Sequence, residues 1–182
     1  AGLVGSVDGS KIVLKKSSEA VSGGAAIQET GAACYAGEES NTFASVDEAI
    51  RSKSGEIHLL RDATLDCYNN YLGVNAVIYG HGHTLRAEAK FSVDVNSDFK
   101  LYDVTLDLNQ KSILVSAATL TLGKGTTVKN GLANNGGAAI MYVQSKIIME
   151  EGALITDCKA QYGGGGIRTH QGTFEMKGGK IT

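Results

Sequence analysis

The side chains best placed to do chemistry are two histidines set among glycines, Gly80-His81-Gly82-His83, and four aspartates, Asp94, Asp98, Asp103 and Asp107. A histidine held in a turn can pass a proton near neutral pH. A pair of carboxylates across a sugar could supply an acid and a base for hydrolysis. Several carboxylates converging on one face, with an arginine or lysine base nearby, would suit a calcium-assisted elimination. The spacing does not assemble these sets. Asp94 and Asp98 flank the break between two short apolar runs, and Asp103 and Asp107 flank the next run, so the four spread over different turns. Solvated turn residues are the expectation, with no metal, no cofactor and no catalytic residue. His81 and His83 are expected in a turn between repeats, where Gly80 and Gly82 would supply the unusual dihedrals.

The elements that would carry these residues are repeats. The segments starting at Ala118, Ser145 and Gly172 align without a gap. Leu120, Ile147 and Phe174 then recur at one constant interval, and so do Leu122, Met149 and Met176. Val128 aligns with Ile155, Ile140 with Ile167, and Gly137 with Gly164. Shorter units precede them. Phe99-Lys-Leu101 aligns with Leu120-Thr-Leu122, Val77-Ile-Tyr79 with Phe99-Lys-Leu101, and Ile57-His-Leu59 with Val77-Ile-Tyr79. Each unit offers three short alternating strands separated by Gly, Asn and Asp, which is what a β-solenoid coil requires. No unit can bury its own apolar face, so stability must come from stacking. The absence of proline fits, because nearly every strand N–H must be donated to a neighbouring coil.

Residues 41–182 are therefore expected to form an all-β, right-handed parallel β-helix with a short N-terminal capping helix. That helix is predicted within Thr42–Arg51, where Ser45 and Glu48 form a capping box and Phe43, Val46 and Ile50 share a stripe. Residues 1–40 have no firm fold, though Lys11–Lys15 reads as a strand and Ser22–Ala26 as a turn. The chain stops mid-coil at Thr182 with no polar cap, which favours truncation over a partner covering that end. It starts at Ala1 without a leader, as a mature exported protein or an excised piece would.

Composition narrows the function. A net charge of −2 gives no electrostatic case for nucleic acid, and no apolar run is long enough to insert in a membrane. The three cysteines, Cys34, Cys67 and Cys158, lack metal-site spacing. Secretion would permit a Cys34–Cys67 bridge; the alternative is that they are small buried hydrophobes. A threonine ladder of the ice-binding kind is interrupted at Lys146 and Glu175. The third strand of the coils offers a surface. If Ile113, Ile140 and Ile167 point inward, Leu114, Met141 and Arg168 stack outward, with Ser116, Val143 and His170 beside them. Leu114, Met141, Val143, Arg168 and His170 are the candidate binding residues, and a one-residue slip would swap inside for outside.

Several segments resemble a known family. Ala25-Ala-Ile-Gln, the helix at Asn41–Ile50, and Gly55-Glu-Ile-His-Leu-Leu-Arg-Asp-Ala-Thr-Leu65 are similar to the opening of pectin-lyase-like β-helices in adhesin-like surface proteins of gut bacteria. Tyr79-Gly-His-Gly-His-Thr-Leu85 resembles their second coil, and Gly163-Gly-Gly-Gly-Ile167 with Phe174-Glu-Met-Lys-Gly-Gly-Lys-Ile181 resembles later coils. The resemblance covers roughly residues 25–182. It implies an extracellular, cell-surface display or adhesion module, not an enzyme, whose partner is a host glycan, an extracellular protein or another copy of itself. The alternative is a fragment of a polysaccharide lyase or glycoside hydrolase with its catalytic coils outside this chain. Gly80-His81-Gly82 resembles one motif of the polygalacturonase-like hydrolases, whose order is N-x-D, D-D, G-H-G, R-x-K. Here no D-D exists, Asn96-Ser-Asp98 follows the histidine, and Arg51-Ser-Lys53 precedes it. That order puts the catalytic reading in doubt.

Overall fold

The computed structural model describes residues 3–8, 11–16, 31–53, 55–66, 71–72 and 74–182. Two compact units are present, residues 1–31 and 32–182. In the first, β1 (Leu3–Asp8) and β2 (Lys11–Lys16) pair as an antiparallel hairpin. The strand expected at Lys11–Lys15 is β2; the turn expected at Ser22–Ala26 lies outside the described residues.

The second unit is a β-solenoid of about five turns. Its first sheet stacks β5 (Glu56–Leu59), β8 (Asn75–Tyr79), β11 (Asp98–Tyr102), β14 (Thr119–Leu122), β18 (Lys146–Met149) and β22 (Thr173–Met176) in parallel. The second stacks β6 (Ala63–Leu65), β9 (Thr84–Ala87), β12 (Thr105–Asp107), β15 (Thr127–Lys129), β19 (Leu154–Thr156) and β23 (Lys180–Ile181). The third holds β7 (Tyr71–Leu72), β10 (Phe91–Asp94), β13 (Ile113–Val115), β17 (Ala139–Met141) and β21 (Ile167–Thr169). Alternation along each strand sends every second side chain into one axial core. Phe99, Leu120, Ile147 and Phe174 share one inward column, as their spacing predicts. Leu85, Leu106, Val128 and Ile155 share another.

Two register expectations are corrected. Phe99 lies opposite Ala76 rather than Val77, and Ile57 lies opposite Ile78, so Val77 points outward. The Gly80–His83 turn obscures this count, because it sets four residues between Tyr79 and Thr84 where the next coil sets two between their partners Tyr102 and Thr105. In the third sheet, Ile140 lies opposite Arg168 and Ala139 opposite Ile167. The gapless repeat conceals one extra residue between Ala160 and Ile167, returned in the next turn before Thr173. The Gly163–Gly166 run absorbs it. Gly163 has φ of 109°, and a Cβ on Gly137 would lie 2.3 Å from Gly165 O, so backbones meet where side chains cannot fit.

The solenoid begins with structure that the repeat does not foretell. β3 (Cys34–Ala36) pairs antiparallel with both β5 and β4 (Glu38–Phe43), which extends the first sheet. α1 (Val46–Ser52) follows, with Ser45 Oγ accepting from Glu48 N at 3.2 Å and Lys53 closing the helix in the left-handed region. Val46, Ala49 and Ile50 are buried against the core, with Phe43 partly so. Asp47, on the same buried side, accepts from Asp66 N at 2.9 Å and ties α1 to the coil below. Among the described residues α1 is the only α-helix, and no helix is long and apolar enough to cross a membrane.

Candidate functional site

The outer side of the third sheet is the surface singled out by sequence, and its composition differs from expectation. Ser92, Leu114, Ile140 and Arg168 form one outward column. Ser116, Tyr142 and His170 follow β13, β17 and β21 and form the next: Ser116 N donates to Val93 O, Tyr142 N to Val115 O and His170 N to Met141 O. Met141 is corrected. It is 0% exposed and stacks inward between Val115 and Thr169, because the coil register is shifted by one residue there. Ile140 takes its place outside. Val143 is 52% exposed but sits one residue beyond Tyr142, in the turn rather than in the column. Leu114 and Arg168 are half-buried, and Arg168 Nη1 donates to Asn135 Oδ1. His170 is exposed, with its ring stacked on Tyr142 at 5.7 Å.

Beside this face runs a groove of about 360 Å³ lined by Lys90, Lys111, Gln110, Asn134, Leu132 and Ile140 among others. It exists because the coil from Leu120 to Ile147 carries more chain than the coil from Phe99 to Leu120 before it. Part of that excess builds β16 (Leu132–Ala133), which pairs in parallel with β20 (Lys159–Ala160) of the following coil outside the three sheets. Amides, two ammonium groups and aliphatic side chains line the groove, and among the described residues no carboxylate does. Such a surface can hydrogen-bond and cover a polar ligand with apolar patches, as a saccharide presents. At the edge of this face Asp94 is 8% exposed and its Oδ2 finds no hydrogen-bond partner among the described residues. Burial raises its pKa, against the pull of Lys90.

A second feature went unread in the sequence. Tyr35, His58, Tyr79 and Tyr102 stack on the outer side of the first sheet, with successive ring centroids 4.6, 4.9 and 5.5 Å apart. Each comes from a neighbouring strand, so strand spacing sets ring spacing. The ladder stops at the next coil, where a Cβ on Gly123 would meet the Tyr102 ring at 2.1 Å. The signal was present in Tyr79 and Tyr102, which hold the same place in consecutive coils, but only the corrected register aligns them.

His81 lies beside this ladder in the expected turn, with φ of 51°. The dihedral expectation is half right: Gly82 has φ of 82°, whereas Gly80 is needed for close approach, since a Cβ there would lie 2.4 Å from Val104 Cβ. His83 Nδ1 lies 3.4 Å from Asp62, which also accepts from Thr84 N. The four aspartates part among the sheets. Asp98 pairs with Lys100 at 3.2 Å in the first, and Asp103 takes a left-handed turn. Asp107 ends β12, where burial would raise its pKa but hydrogen bonds from Asn109 N and Asn130 Nδ2, with the nearby Arg86 charge, lower it on balance. No group of three or more His, Cys, Asp or Glu converges among the described residues. Arg51 and Lys53 sit at the C-terminal end of α1.

Cys34 is a buried thiol whose Sγ lies 3.7 Å from Ser45 O; burial, with the Glu48 charge, pushes its pKa up to about 12. Cys67, its suggested partner, lies outside the described residues. Cys158 is half-buried and contacts Gly131 N at 3.4 Å.

No protein-family model, no curated protein and no solved structure matches the chain.

Proposed function

We propose that this chain is a non-catalytic display and adhesion module of an exported bacterial protein, with a right-handed solenoid of the pectin-lyase-like kind, that binds a glycan through its third-sheet side. The groove beside Ile140 and Leu132 carries this reading. Its amides and ammonium groups can bond hydroxyls or acidic substituents, and its aliphatic walls can cover sugar faces. The similarity of the opening and GGGI segments to adhesin-like surface proteins supports the exported, cell-surface setting.

A glycan array probed with the intact chain tests the reading. Binding to a defined glycan set is expected, weakened at least tenfold by Ile140→Asp or Lys111→Glu and unchanged by Tyr79→Phe on the other face. Failure to bind any glycan, or binding indifferent to both groove variants, would overturn the glycan reading. Concentration-dependent sedimentation with no glycan bound would favour self-association. Release of new unsaturated or reducing ends from a polysaccharide would make the chain an enzyme.

A further inference from the structure

The ladder contains a contact whose geometry admits one proton and no more. His58 Nδ1 and His81 Nε2 are 2.9 Å apart. The ring centroids are 5.2 Å apart and the planes differ by 15°. The two distances differ by about two imidazole radii, so each nitrogen points straight at the other. That is the arrangement of an N–H···N hydrogen bond, in which one ring donates and the other accepts. It is not the arrangement of two ligands converging on a shared ion, whose lone pairs would meet at an angle.

From this we infer that the His58–His81 pair is a proton-gated latch that holds the Gly80–His83 turn against the ladder while at most one of the two rings is charged. A first added proton goes to an outward nitrogen and leaves a charge-assisted bond across the contact. A second makes both rings imidazolium, sets N–H against N–H and places two like charges together. The contact then opens at its exposed, turn-borne member, His81. Loss of the bond also removes what offsets the left-handed backbone of His81.

Tyr35 of β3 and Tyr79 of β8 cover the two faces of His58, and Tyr102 of β11 lies beyond Tyr79. From β5, Glu56 is the carboxylate whose charge reaches His58, while Glu39 of β4 acts on Tyr35. Asp62 is engaged by His83 and Thr84 N, and Asp103, whose carbonyl accepts from Gly82 N, has its carboxyl beside Gly125 of the next coil. Burial, then the neighbouring His81, lowers the pKa of His58, and Glu56 opposes them. A lowered imidazole value in the folded state means that the unfolded chain binds more protons. The associated stability is therefore present above the ordinary imidazole value of about 6.5 and is lost as pH falls through the lower folded value.

An NMR pH titration of the intact chain, following imidazole carbons and the Gly80–His83 amides, tests the latch. The pair should titrate in two steps separated by about one pH unit or more, the lower one moving the turn amides. His81→Asn, which tolerates the left-handed backbone, should collapse His58 to a single step at higher pH. Through-bond 15N–15N coupling across the pair at neutral pH should be measurable in the wild type, whatever the fate of the variant. Coincident independent titration, absence of the coupling, or a His58 curve unchanged in His81→Asn would each overturn the proposal.

Discussion

The solenoid is built from two kinds of coil, and they spend their outer surface differently. The early coils, those running from Ile57 to Leu120 along the first sheet, carry less chain per turn than the later ones. Their outer ornament is made of side chains on the strands themselves, the ladder from Tyr35 to Tyr102. The later coils, from Leu120 to Phe174, keep the same inward columns but add a loop with its own strand pair, and a groove appears beside it. A common axial core thus supports a self-stacked face on the early coils and a concave, mixed face on another side, where early and later coils meet. Rings that cover one another expose edges, whereas the groove exposes amides, ammonium groups and aliphatic surface. The second offers what the proposed glycan binding needs, and the first what the proposed latch needs.

The core common to both should dominate stability. Phe99 is fully buried in the first-sheet column and meets Phe91 edge to face at 5.5 Å. Phe99→Ala should cost about 3–5 kcal/mol by chemical denaturation, because lost transfer energy and an unfilled cavity add. A loss below about 1 kcal/mol would mean that the early coils are not packed on this residue. Next in size is the long-coil backbone. Gly137→Ala places a methyl 2.3 Å from Gly165 O and 2.6 Å from Lys159 N. Neither atom is a flexible side-chain end, so we expect a loss of about 1–3 kcal/mol. Hydrogen exchange should localise the loosening to β16, β20 and the Gly163–Gly166 run, leaving β8 and β11 protected. Equal loosening of both ends would abolish the distinction between the coil types.

How much of this was legible follows the same division. Where a first strand repeats an aliphatic pair at constant spacing, as at Leu120, Ile147 and Phe174, periodicity fixed the pairing correctly. The capping helix was readable because Ser45 and Glu48 are local signals. Errors entered where turns change length. The Gly80–His83 segment lengthens one turn and the tetraglycine run another, and a slip of one residue exchanges inside for outside. That exchange placed Met141 on the surface and hid Ile140. The β3–β4 hairpin carries no solenoid period, since antiparallel closure of the first sheet obeys no repeat. The ladder needed cross-coil register that no single strand contains.

The smallest effect sharpens the comparison at the seam between the faces. Asp94 ends β10 in an early coil, yet its column runs on through Ser116 to Tyr142 and His170 in the long ones. Its Oδ2 is buried without a hydrogen-bond partner among the described residues, and burial raises its pKa. A carboxyl with a raised folded value binds its proton more tightly folded than unfolded. Its ionisation therefore removes stability as pH climbs from about 3.9 through that higher value. Asp94→Asn should stabilise the chain at pH 7 by on the order of 1 kcal/mol, and the gain should vanish at pH 3, where the wild-type carboxyl is already neutral. Thermal melts of both proteins at the two pH values measure the difference. A variant destabilised at pH 7 would show that the carboxylate is satisfied and that the seam carries no strain.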